Sequence, residues 1–157
     1  MDSYLLLKLL HILSATVLAG TGTGIAFFMF MAHRVGNLQA LAVTTRHVVL
    51  ADWLFTAPAV VVQFTTGVLL MRRMGLSFTS PWFFAAIGLF LFIGLCWLPV
   101  VVIQYRLRAV ATSALHSGKL DPVFHRLMYG WTALGVPAFA AIVVLFWLMV
   151  FKPLPLT

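Results

Sequence analysis

The chain has 157 residues, 63% of them hydrophobic and only 8% charged, with a formal net charge of +7 and a mean hydropathy of +1.09. Soluble domains are about 45–50% apolar and about 25% charged, and ten Lys and Arg with three acidic residues cannot cover a soluble surface of this size. Soluble enzymes, disordered chains and secreted disulfide scaffolds are excluded, which leaves an integral membrane protein.

A membrane-spanning helix needs about 20 mostly apolar residues, and four stretches supply them: about 4–33, 47–71, 81–105 and 123–151. The first is too long for a signal peptide and shows no small-residue cleavage site ahead of a soluble domain, so it reads as a span. The link from Arg34 to Arg46 reads as a connector, as does Arg72 to Ser80. The third span is expected to continue as a helix past Arg106 until Gly118-Lys119 breaks it, with Asp121-Pro122 starting the fourth. Short connections make neighbours antiparallel, so the expected fold is an all-α, up-down-up-down four-helix transmembrane bundle in a single domain over residues 1–157. Pro58, Pro99 and Pro137 are expected to kink three of the helices.

The basic residues stand singly or in pairs at the ends of apolar runs, where they meet lipid headgroups. They form no basic face for nucleic acid. Side A, the face where the first span begins and the fourth ends, carries Lys8, Arg72, Arg73 and Lys152. Side B carries Arg34, Arg46, Arg106, Arg108, Lys119 and Arg126. The richer side is expected in the cytoplasm, which puts both termini in the periplasm of a bacterial inner membrane. Cys96 has no cysteine to pair with, the chain has no Glu, and the Gly20–Gly24 run lies inside a span. Hydrolase and nucleotide-binding readings therefore find no support.

Ionisable residues inside a span are costly and point to function. His11 lies one turn beyond Lys8 on the same helix face, and the Ala19–Gly24 run is rich in small residues. Two readings follow: close helix packing through the small residues, or room for a haem b whose iron takes the His11 imidazole while Lys8 meets a propionate. Met149 and Met71, near the same boundary, are candidate second ligands. Side B gathers His33, His47, His116 and His125, three of them beside Arg34, Arg46 or Arg126. This set is interfacial, or a haem site with Arg46 and Arg126 on the propionates, or a copper site in which His33 and His125 join the thioethers of Met29, Met31 and Met128. Asp52, one to two turns inside the second span, needs an inward partner; Arg106 on the third has the matching depth, with Gln104 or a side-B histidine as a secondary partner. That pair is structural, or part of a proton relay or cofactor anchor.

Lys8-Leu9-Leu10-His11, the stretch Asp52-Trp53-Leu54-Phe55-Thr56-Ala57-Pro58, Thr66-Gly67, Trp97 to Gln104 and Leu148 to Pro153 together resemble the predicted integral membrane proteins of domain-of-unknown-function family 2269. The resemblance spans nearly the whole chain and implies a membrane bundle. A weaker likeness rests on the Lys-x-x-His start, His33, Thr66-Gly67 and Lys152-Pro153. These are similar to bacterial membrane protoporphyrinogen oxidases and copper-resistance membrane proteins, and the former imply a haem ligand at His11. The oxidase reaction is not implied, because Trp82 to Pro99 holds no Lys or His. The leading expectation is b-type haem binding and membrane electron transfer. Its rivals are a non-catalytic membrane anchor subunit of a redox complex and a copper or small-molecule permease; the expected partners are the lipid bilayer and a redox partner protein or a second copy of the chain.

Overall fold

The computed structural model of the chain describes residues 3–156 and contains only helices among them. They are α1 (Ser3–Val35), α2 (Leu38–Ala51), a π-helical turn (Asp52–Thr56), α3 (Ala57–Arg73), α4 (Pro81–Ser117) and α5 (Val123–Phe151). With α2, the π-turn and α3 counted as one continuous helix of 36 residues, four helices are long and apolar enough to cross a membrane.

The ends follow local chemistry. The expected connector over 34–46 is mostly helix: Gly36 takes a left-handed φ of +69° to end α1, and Asn37 caps α2 by accepting from the Ala40 amide at 3.0 Å. The polar residues of that stretch belong to a helix end at the headgroup level, where they meet water without leaving the helix. Ser80 caps α4, whose first residue is Pro81, and Gly118 closes it at a φ of +70°. Asp121 then accepts from the Val123 amide at 2.8 Å to start α5.

Pro58 acts as expected on its helix, and the form of the distortion is a π-turn. A helical proline lacks an N–H and its ring presses on the carbonyl four residues back. Widening the preceding turn relieves that contact, and the Ala57 amide reaches back to the Asp52 carbonyl, five residues away. α4 and α5 run unbroken through Pro99 and Pro137.

α4 packs most extensively on α5, and α1 packs along the α2–α3 helix; α2 also meets α4, whereas α1 and α5 touch only lightly. The buried core falls into two clusters. On side B, Met29, Leu41, Val48, Leu107, Phe124 and Met128 pack together; on side A, Met71, Trp82, Ala86 and Leu148 do so. The Trp82 indole locks the latter end by donating to the Leu148 carbonyl at 3.1 Å. Most other apolar side chains face outward, as lipid requires.

The Gly20–Gly24 run does not serve close helix packing. A Cβ added at Gly20, Gly22 or Gly24 would meet no atom within 4 Å. Gly20 and Gly24 instead help line an open cleft of about 500 Å³ toward Phe139 and Phe146 of α5.

Candidate functional sites in the membrane

Two polar constellations interrupt the apolar interior, and a third lies at its exposed side-B end. The first joins α1 to α3. Thr66 spends its hydroxyl proton on the Val62 carbonyl at 2.6 Å, so its oxygen accepts from His11 Nδ1–H at 2.9 Å. That fixes the tautomer, and His11 Nε2 accepts from the Gln63 amide at 3.0 Å. Gln63 Oε1 accepts in turn from the Ser14 hydroxyl. Gly67 leaves room for the ring: a Cβ there would stand 3.3 Å from His11 Cε1. Both imidazole nitrogens are therefore engaged. The ring faces α3, whereas Gly20 of the small-residue run lines the cleft toward α5. Positions 11 and 20 lie on opposite sides of α1 because they are nine residues apart, half a turn out of phase at 3.6 residues per turn.

Lys8 is exposed to the surroundings of the bundle. Met71 is buried in the side-A cluster and Met149 packs against that cluster, so the two expected second-ligand candidates sit together near the helix ends.

The second constellation lies at the π-turn. Asp52, 6% exposed, accepts from the Thr56 hydroxyl at 2.8 Å through Oδ1, while Oδ2 has no hydrogen-bond partner. The side chains of Gln104 and Trp97 of α4 lie against this carboxyl. The expected Asp52–Arg106 ion pair is not formed. Arg106 stands two residues beyond the buried Gln104, about 200° further round the helix, and its side chain is exposed. Beside it, Trp53 donates to the Tyr105 hydroxyl at 2.7 Å on the exposed surface.

The third constellation closes side B. His33 Nε2 and His125 Nδ1, from α1 and α5, lie 2.9 Å apart with one proton shared between them. Phe124 packs beside the His33 ring, with centroids 5.9 Å apart. Met29, one turn before His33, and Met128, three residues after His125, are both buried in the cluster that holds Phe124. Met31 is exposed and points elsewhere. The remaining side-B candidates are dispersed. His47 is exposed and lines a second cleft, of about 460 Å³, between α1 and α2. His116 folds back on the Thr112 carbonyl of its own helix at 3.2 Å, and Arg46 and Arg126 are exposed. Among the described residues no three His, Cys, Asp or Glu side chains come together as a metal-binding group.

Sequence reading missed the clasp formed by Ser14, Gln63 and Thr66, and the contact of Trp97 with Asp52. A signal was present. Asp52, Thr56, Ala59, Gln63 and Thr66 recur at spacings of four, three, four and three, which is one helix face, and polar side chains occupy four of the five positions.

The fold and these sites define an all-helical integral membrane protein with small polar centres buried between its helices. The particular family is also plain: residues 5–153 match the family model described as predicted integral membrane protein (DUF2269), and the chain belongs to that family. No curated protein and no solved structure matches the chain.

Proposed function

We propose that the bundle binds a soft transition-metal ion, Cu(I) in the first place, at its side-B end between His33 and His125. The observation that carries this reading is the 2.9 Å approach of imidazole nitrogens from two separate helices. Met29 and Met128, buried together in one cluster, stand four residues before His33 and three after His125 on the same two helices. Thioether and imidazole ligands without a carboxylate suit Cu(I) better than a hard cation. A metal-handling role in a bacterial inner membrane, with side B in the cytoplasm, is consistent with six basic residues on side B against four on side A. Reporter fusions after α5 check that orientation; activity only in the cytoplasm reverses it.

The test is anaerobic titration of the purified chain with Cu(I) against a chromophoric chelator. One ion per chain is expected, lost in His33→Ala and His125→Ala and retained in His11→Ala. Absence of binding by the wild-type chain overturns the reading.

A haem b at His11, with electron transfer as its use, is the second reading, and one feature favours it. Thr66 holds Nδ1–H, so the lone pair that an iron would take is on Nε2, capped by the Gln63 amide alone. Against it, the clasp leaves no slot beside that nitrogen unless Gln63 turns away. An absorption spectrum of the same preparation decides: a Soret band lost in His11→Ala and kept in His125→Ala places the cofactor on side A. A chain with neither haem nor copper is left with the anchoring role toward a redox partner or a second copy of itself.

A further inference from the structure

Asp52 and Gln104 are among the most deeply buried polar side chains, at 6% and 2% exposed. Asp52 Oδ2 and Gln104 Oε1, two acceptors, both lack a hydrogen-bond partner, although the two side chains lie against each other. Each unsatisfied buried acceptor costs about 1–3 kcal/mol. No cation relieves this. The elements around the carboxyl are α1, α2, α3 and α4, and among the described residues none of them offers it a Lys, Arg or His bond; its one hydrogen bond comes from Thr56. Arg106 and His47, the basic side chains nearest in sequence on α4 and α2, are exposed. A proton carried on Oδ2 removes the charge that no cation balances and turns the orphaned acceptor into a donor; Gln104 and Trp97, whose side chains lie against the carboxyl, are both neutral. The carboxyl also sits at the π-turn that precedes Pro58, and such turns are frequent at functional positions.

We infer that Asp52 is a proton-binding site inside the bundle, its buried Oδ2 carrying an exchangeable proton. The site begins the polar face of the α2–α3 helix. Along that face Thr56 contacts Asp52, and about two to three turns beyond Thr56 Gln63 and Thr66 hold His11, so two titratable groups stand at the ends of one largely polar helix face. The ligand is the proton itself, and the inference does not depend on a metal at side B.

The experiment uses the full-length chain in detergent or vesicles. Infrared difference spectroscopy in H₂O and D₂O is expected to show a protonated-carboxyl C=O band that shifts on exchange and is missing in Asp52→Asn. Dicyclohexylcarbodiimide, an apolar reagent to which a protonated carboxyl adds to give an O-acylisourea that rearranges to a stable N-acylurea, is expected to add one equivalent on the peptide containing Asp52. The other two acidic residues, Asp2 and Asp121, serve as internal controls on separate peptides. The infrared measurement decides on the wild-type chain alone. If no protonated-carboxyl band appears, Asp52 is a carboxylate held by a Gln104 amide turned to donate, and the inference is overturned even if an adduct forms.

Discussion

His11 and Asp52 are both ionisable side chains inside a transmembrane bundle, and their surroundings differ in one respect. Every hydrogen-bonding atom of the His11 ring has a partner from α3, and the partners are themselves bonded onward. Asp52 has one oxygen satisfied and one not, with two further orphans, Trp97 Nε1 and Gln104 Oε1, from the α4 side chains beside it. A closed network holds helices together and resists change, because altering any member strands another. An open one is incomplete without something added, such as a proton or a water. Burial of a polar residue in a membrane therefore does not by itself indicate function; the unbalanced count of donors and acceptors does.

The largest effect that would break this contrast is at the clasp. His11→Ala removes two interhelical hydrogen bonds and leaves the Gln63 amide and the Thr66 oxygen each one partner short. Such bonds average about 0.6 kcal/mol each in membrane bundles and reach about 1.7, so a loss of about 1–3 kcal/mol is expected in a denaturant titration in detergent. An unchanged midpoint would remove the structural role assigned to His11.

A smaller effect sharpens the same point through two glycines. In Gly67→Ala the new methyl stands 3.3 Å from His11 Cε1, so the ring must give by a few tenths of an ångström. A destabilisation of about 1 kcal/mol is expected. Gly22→Ala meets open space and is expected to be neutral or slightly stabilising, since alanine favours helix by up to about 1 kcal/mol. If the two variants behave alike in thermal melts, α1 and α3 do not pack as described.

The smallest effects belong to the open network. Asp52→Asn supplies an amide N–H where the carboxyl proton is inferred, so stability should change by less than about 0.5 kcal/mol. Arg106→Ala, on an exposed side chain with no partner at Asp52, is expected to fall within the same range, typical of surface changes. A loss of several kcal/mol in either, on the scale of about 3–5 for a broken buried ion pair, would restore the pairing that depth alone suggested.

The failure of that pairing shows how far a helical sequence can be read. Arg106 has the right depth, yet two residues on a helix are a turn of about 200°, so Gln104 takes the inward position and Arg106 the outward one. Depth is a linear property and is visible in sequence; the azimuth of a residue depends on which neighbouring helix packs where. The same limit hid the Gly20–Gly24 run, whose small residues border a cleft rather than a helix contact. It also scattered the side-B histidines, of which only His33 and His125 meet.

Composition alone determined the membrane as solvent, since a chain with so few charges cannot be solvated in water, and apolar run length determined four crossing helices. Gly118, Asp121 and Pro58 were equally legible, because caps and proline distortions are local consequences of backbone chemistry. Tertiary structure decided which polar residues are complete and which are not. Hydrogen-bond partners such as Thr66 for His11 lie 55 positions away in the chain, and only the packing of α1 on α3 brings them within 2.9 Å. In a lipid interior, where no water stands in for a missing partner, that packing separates a structural histidine from a carboxyl that still needs a proton.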